Sequence, residues 1–394
     1  MTRLLLAALL MLCTAKAGAV APVGERQDTA TITTEQQPDT VKKKKGLINW
    51  VLNYLNNTNK NKKHKKFDFS VLPGPHFSSD TGFGLGIIGM GLYRQDRRDS
   101  LSQPSNVSIF GDVTTKSSYT VGIFGTHMFP YGKGRIEYEV SANYFKEKFW
   151  GIGYEMGNED SNESEMTRWK IDAKANFLWQ VARNIYIGPT LTYDYAYAME
   201  IDRPELLAGM DPLVWNIGVG VTLAYDSRDI MTRPTKGIYA TVTQLFRPKF
   251  LSNGYDYITT DFRFNTYGRL WKGAVIGGDL RGTLNFGNPS WAMMSLLGNS
   301  STMRGYYKGR YRDKHKLEAQ VELRQHIWRR NGVVAWVGVG TVFDKFSSIH
   351  TDRLLPNWGI GYRWEFKKNG NIRLDYGFGK SGIQGFVFNI NEAF

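Results

Sequence analysis

The chain has 394 residues but only one cysteine, Cys13, so no disulfide can form within it. Cys13 also falls inside an N-terminal leader. Once that leader is removed no thiol remains, which excludes thiolate catalysis and thiolate-metal sites. Histidine is scarce too, with six in all. None belongs to a cluster with metal-ligand spacing. No G-x-S-x-G motif is present and no acid–His–Ser set stands out, so the sequence points to neither a catalytic site nor a cofactor. Past the leader, no run of eighteen apolar residues exists, which excludes a membrane-spanning helix and leaves membrane-spanning strands open. Acids are missing from Lys42 to Lys66, where nine lysines fall. Of the net charge of +14, that stretch accounts for +9, leaving +5 elsewhere. The basic balance is therefore a local tail feature and does not indicate a nucleic-acid partner.

What is present begins with "MTRLLLAALLMLCTAKAGAVAP". Arg3, the apolar run Leu4 to Leu12 and the small-x-small triplet Ala15-Lys16-Ala17 predict a signal peptide over 1–17. Residues 18–45 are rich in Thr, Gln, Asp and Lys and read as disordered. Over 46–66, Leu47, Ile48, Val51, Leu52 and Leu55 recur at helical spacing between lysine clusters. That pattern predicts a short periplasmic amphipathic helix, suited to lie on an anionic membrane face.

From Phe67 to Phe394 the chain becomes a series of alternating segments with 42 glycines and 54 aromatics in the whole chain (22 Phe, 21 Tyr, 11 Trp). In "KLEAQVELRQHI", Leu317, Ala319, Val321 and Leu323 oppose Glu318, Gln320, Glu322 and Arg324. "NWGIGYRWEF" and "NIRLDYGF" alternate likewise. Faces rich in aromatics opposite faces of acids, arginines and glycines fit lipid outside and a polar lumen. The fold class expected is all-β: a 16-stranded antiparallel transmembrane β-barrel over 67–394. The first strand is the weakest, since "VLPGPH" carries two prolines. The last is expected to run over 383–394, with Phe386, Phe388, Ile390 and Phe394 on one face as an insertion signal. Short links such as "VAR", "RRNG" and "KKNG" alternate with long ones, including 148–165 and 288–314.

The loop over 288–314 contains "STMRGYYKGRYRD", with Arg304, Lys308, Arg310, Arg312 and Lys314 close together. Met303-Arg304-Gly305-Tyr306 resembles the Arg-Gly-aromatic motif of the BamA/TamA family of outer-membrane barrels, the bacterial surface antigen superfamily. "AYDSRDIMTRPTKGIYATV" is similar to a turn of that family at Asp226, Arg228, Asp229, Pro234 and Gly237. "NIRLDYG" and Phe394 match its closing strands. The resemblance implies that the loop folds back into the lumen and that Arg304 meets an acid there. An arginine inside a narrow barrel needs a carboxylate in any case. Candidate acids are Asp344, Glu322, Glu318, Glu365 and Asp375. Asp344 is the first choice, because "TVFDKF" resembles the family's F-x-D-x-G motif, although Phe346 replaces its glycine.

Family members that assemble or export proteins carry periplasmic POTRA modules of some 70–80 residues. The 49 residues from Gly18 to Lys66 are too few for one. The resemblance thus implies a POTRA-less barrel in the outer membrane of a Gram-negative cell. Its role would be in membrane biogenesis or in protein or lipid translocation, in contact with outer-membrane lipid and with envelope proteins that supply a periplasmic module. A passive porin-like channel for small solutes is the alternative.

Overall fold

The computed structural model describes residues 67–78, 82–94, 105–231, 233–367, 370–390 and 392–394. The expected leader (1–17), polar segment (18–45) and lysine-flanked helix (46–66) lie outside the described residues. Sixteen antiparallel strands form one closed barrel. In chain order the first half is β1 (Phe67–Ser78), β2 (Gly82–Tyr93), β3 (Ser105–Thr114), β4 (Tyr119–Met128), β5 (Gly134–Phe149), β6 (Ser164–Ala182), β7 (Ile185–Ile201) and β8 (Leu213–Asp226). Then follow β9 (Gly237–Arg247), β10 (Asp256–Arg269), β11 (Ala274–Asn288), β14 (His315–Trp328), β15 (Asn331–Phe343), β16 (Leu355–Lys367), β17 (Gly370–Phe378) and β18 (Gln384–Ile390). Two short strands, β12 (Ser295–Leu296) and β13 (Arg312–Asp313), pair with each other inside the loop between β11 and β14.

The burial pattern is that of a membrane protein. On β14, Glu318, Gln320, Glu322 and Arg324 are buried while Val321 between them is 47% exposed. Leu85, Ile87, Ile109, Val121, Val221, Val337 and Ile360 are likewise exposed. A chain dissolved in water would bury these and expose the charges; a barrel in lipid does the reverse. Inside, hydroxyls form cross-strand ladders: Thr222 Oγ1 lies 2.6 Å from Thr190 Oγ1 and 2.8 Å from Thr243 Oγ1. Outside, Tyr144 meets Tyr119 at a tilt and Trp169 edge to face, with ring centroids 5.9 and 5.5 Å apart, towards the long-loop end. Amphipathic rings of this kind favour the membrane–water boundary.

The barrel closes through a thin seam. β1 pairs with β2 along its whole length, yet among the described residues it pairs with β18 at two positions, Phe77↔Phe388 and Ser78↔Val387. The expected weak strand forms, and its two prolines, Pro73 and Pro75, which have no N–H to give to a ladder, both fall in register with β2.

The last strand departs from expectation. β18 ends at Ile390. Phe386 and Phe388 are half-buried, whereas Phe394 turns inward. It is 7% exposed and stacks on Tyr267, ring centroids 6.2 Å apart. Phe394 therefore does not share a face with Phe386 and Phe388. It is held inside because Arg324 Nη2 donates to its main-chain oxygen at 2.8 Å and the guanidinium lies over its ring.

Lipid exposure at mid-strand yields a direct test. Val337 is 63% exposed at the centre of β15. Val337→Arg is expected to destabilise the reconstituted barrel by about 2–4 kcal/mol, as arginine does at a bilayer midplane. Urea unfolding in lipid vesicles, followed by tryptophan fluorescence, measures it. An unchanged midpoint would contradict the assignment of this face to lipid.

Candidate functional site: an arginine lock inside the lumen

The segment from Pro289 to Lys314 folds into the barrel. Trp291, Leu297, Thr302, Met303, Arg304, Tyr306, Tyr311 and Arg312 are all buried. At its root, Asn285 Nδ2 donates to the main-chain oxygens of Met293 (3.2 Å) and Lys314 (3.0 Å). Deeper, Thr302 Oγ1 donates to Glu318 Oε2 at 3.0 Å, and Gln320 Nε2 donates to the Ser301 carbonyl at 3.0 Å. At the long-loop end, Arg310 pairs with Asp160 at 2.6 Å and donates to the Gly157 carbonyl at 2.8 Å. Gly157 belongs to the short helix α1 (Tyr154–Asn158) between β5 and β6.

Arg304 is the deepest point of this insertion and has no exposed surface. Its Nη2 lies 2.7 Å from Glu322 Oε2 on β14 and its Nη1 lies 2.8 Å from Asp375 Oδ2 on β17. The guanidinium plane sits 3.5 Å from the ring centroid of Trp336 on β15, a cation–π contact. Each carboxylate is shared onward. Glu322 Oε1 meets Arg324 Nε at 2.7 Å, and Asp375 Oδ1 meets Arg363 Nη1 at 2.5 Å. Arg363 Nε then meets Glu392 Oε2 at 2.9 Å, and Arg324 Nε lies 3.8 Å from the same oxygen. Three arginines and three acids thus alternate around a closed ring, and Arg373, 3.7 Å from Asp375, adds a fourth cation.

Backbone geometry makes the deep insertion possible. The Arg304 carbonyl accepts a 2.6 Å hydrogen bond from Asn357 Nδ2 on β16. A Cβ on Gly377 would stand 1.9 Å from that carbonyl oxygen, so β17 needs glycine there. Gly305 has φ +111, and its own Cβ would meet the Gly377 oxygen at 2.6 Å. Tyr306 follows, donating from its hydroxyl to the Pro356 carbonyl at 2.7 Å. Met303 packs with Leu297, Val342 and Leu355 in one buried cluster.

Of the five acids proposed from sequence, Glu322 and Asp375 bind Arg304. Asp344, the first choice, does not: it lies beyond the end of β15 and accepts a hydrogen bond from Ser348 Oγ at 2.8 Å. Arg304 reaches much further down the wall. Glu318 serves Thr302 and Lys316 (3.1 Å), and Glu365 pairs with Arg233 at 3.0 Å near the short-turn end. Sequence reasoning did not single out Arg324, Arg363, Glu392, Trp336 or Asn357. Arg324 and Arg363 sat in plain alternation on polar faces, but alternation does not say which charges meet across the lumen.

Two outcomes are expected. Arg304→Ala strands two buried carboxylates, a change worth about 3–5 kcal/mol, and single-channel recording should show frequent openings. Arg304→Lys should rescue little, because one ammonium cannot fork between two acids, while Asp344→Asn should leave the trace unchanged. The second concerns pH. Burial, with Asp344 nearby, pushes the Asp313 carboxyl up to about 6. The inserted loop therefore favours protonated Asp313. Its closure is firmest below the ordinary aspartate value of about 4 and weakens as pH rises through 6. Openings should be rarer at pH 5 than at pH 7.5, and Asp313→Asn should flatten that difference.

Comparison with known proteins fits this geometry. Among curated protein sequences none matches the chain. In solved structures it is similar to BamA from Haemophilus ducreyi lacking POTRA domains 1–3, with 13% identity and a TM-score of 0.55, over 83% of this chain and 70% of that one. It is also similar to CdiB from Acinetobacter baumannii, with 13% identity and a TM-score of 0.56, over 84% of this chain and 60% of that one. Identities this low speak for the fold alone. The description "Omp85 superfamily domain" matches residues 117–394, well over half of the sequence. With that match, the chain belongs to the Omp85 superfamily.

Proposed function

We propose that this Omp85 barrel resides in the outer membrane of a Gram-negative cell and acts, without catalysis, in membrane biogenesis or in translocation of protein or lipid. Outer-membrane lipid and other envelope proteins are its partners in this reading. The observation that carries it is the pairing of a locked lumen with an unlocked wall. The loop is fixed to β14–β17 by the arginine ring, whereas β1 meets β18 at two register pairs. A barrel built to pass solutes down its axis has no use for so thin a seam, and one built to open sideways does. The loop lodged inside the lumen also argues against a porin, whose channel is open and aqueous.

The test is a disulfide across the seam. Phe77 and Phe388 are directly paired. The double variant Phe77→Cys/Phe388→Cys, with Cys13 the single native cysteine, should lose its role in envelope assembly when oxidised and regain it on reduction. Full function with the seam closed would eliminate the sideways-opening reading. Steady, large wild-type conductance would instead favour the porin.

A further inference from the structure

The loop does not fill the lumen evenly. It is tied to the β14–β17 wall, and a cavity of ≈ 280 Å³ remains on the other side, next to the seam. Glu147 on β5, Arg168 on β6, Asn299, Ser300 and Lys308 in the loop, and Val387 on β18 are among its lining residues. Its charge is one-sided. Among its lining side chains Lys146, Arg168 and Lys308 are cations and Glu147 is the acid. Arg168 binds Glu147 at 3.0 Å and Lys170 binds Asp172 at 2.7 Å. Arg168 is 5% exposed, and its Nε has no hydrogen-bond partner among the described residues. An anion in the cavity would give the Arg168 Nε a partner and offset the excess of lining cations.

The wall below this cavity is apolar on the inside. On β2, β3 and β4 the residues Leu85, Ile87, Ile109, Val113 and Val121 face lipid. By strand alternation their neighbours Ile88, Met90, Leu92, Phe110, Phe124 and Met128 face the lumen. The register sets Phe110 beside Gly122, and Phe124 beside Glu139 on β5. The Phe110 and Phe124 rings lie 5.7 Å apart. Leu92 is 45% exposed and Phe124 37%, although both lie within the barrel, so the loop does not cover them. Lumenal walls are ordinarily polar.

We propose that this side of the lumen binds an anionic amphiphile, a lipid whose phosphate-ester head group meets Arg168 and Lys308 and whose acyl chain lies along the inner face of β2–β4. Charge complementarity specifies the head, and the uncovered apolar strip specifies the tail. A free phosphate ion has no use for the strip, and a neutral lipid has no use for the cations. The cavity borders Gly385 to Val387 on β18, so the thin seam lies beside the site as a route from the bilayer. The inference goes beyond the proposed function, because a binding site can exist whether or not the seam opens during assembly.

The experiment uses the full chain in non-ionic detergent with phosphatidylglycerol carrying a photoactivatable diazirine in its acyl chain. Mass spectrometry reads which residues are labelled. Label is expected on Met90, Phe110 and Phe124 as well as on the lipid-facing side. Arg168→Gln/Lys308→Gln should cut the lumenal label on the order of tenfold, about 1.4 kcal/mol of binding, and leave lipid-facing label unchanged. Lys308→Gln alone, at a side chain exposed to the cavity, guards against misfolding of the double variant. A diazirine diacylglycerol should label the lipid-facing side only. Label confined to that side with phosphatidylglycerol as well would overturn the proposal. So would lumenal label indifferent to both variants, or full displacement by inorganic phosphate, which would reduce the site to a phosphate pocket.

Discussion

A guanidinium with no exposed surface, placed inside a protein, is the constraint on which the rest of this architecture depends. An isolated charge moved from water into such surroundings costs several kcal/mol even after relaxation. Arg304 therefore needs two carboxylates, and each of those, itself buried, needs a second cation. The demand propagates until it closes on itself through Arg324, Glu392 and Arg363. The ring holds the loop to β14, β16 and β17 together with Glu392, rather than to one strand. The glycine at 377 and the small space around it follow from the same demand, since the loop backbone must come within hydrogen-bonding distance of the wall. Trp336 completes the site by covering a face of the guanidinium, where no N–H points.

The barrel is accordingly of two characters. From β14 to β17 the inner face is a charged network, in which a one-residue slip of any strand would break several ion pairs. From β2 to β4 register is held by the backbone ladder and by neutral side-chain bonds such as that of the Tyr93 hydroxyl with His127 Nδ1 at 2.8 Å. β2 reads "GFGLGIIGMGLY", without a charge and apolar on both faces. Glycine-rich strands without a polar side specify register weakly. The seam thus falls one strand away from β17, where the charged network ends.

Much of this was legible in the sequence. Period-two alternation located the strands, because lipid outside and charge inside force opposite residue types onto successive positions. The cationic loop and its Arg-Gly-Tyr core were equally plain. Two things were not. Asp344 and Asp375 look alike as acids on or near lumenal faces, and what separates them is height along the barrel axis, which depends on tilt and register rather than on pattern. Phe394 looked like one more outward aromatic. Its inward turn depends on Arg324 and Tyr267, at least seventy positions earlier in the chain but adjacent in space.

The magnitude of the lock bears on what the barrel can do. A buried ion pair whose loss costs about 3–5 kcal/mol keeps the unlatched loop to roughly one molecule in a hundred to one in ten thousand. Axial flow through such a lumen is confined to rare events, unless something binds the open state well enough to repay that cost. The β1–β18 edge is held differently, by two register pairs among the described residues and by the Phe77–Phe386 ring contact at 5.9 Å. Main-chain groups freed there inside the hydrocarbon layer would each be left unsatisfied at several kcal/mol, so parting the seam requires a strand or head groups that take up those hydrogen bonds.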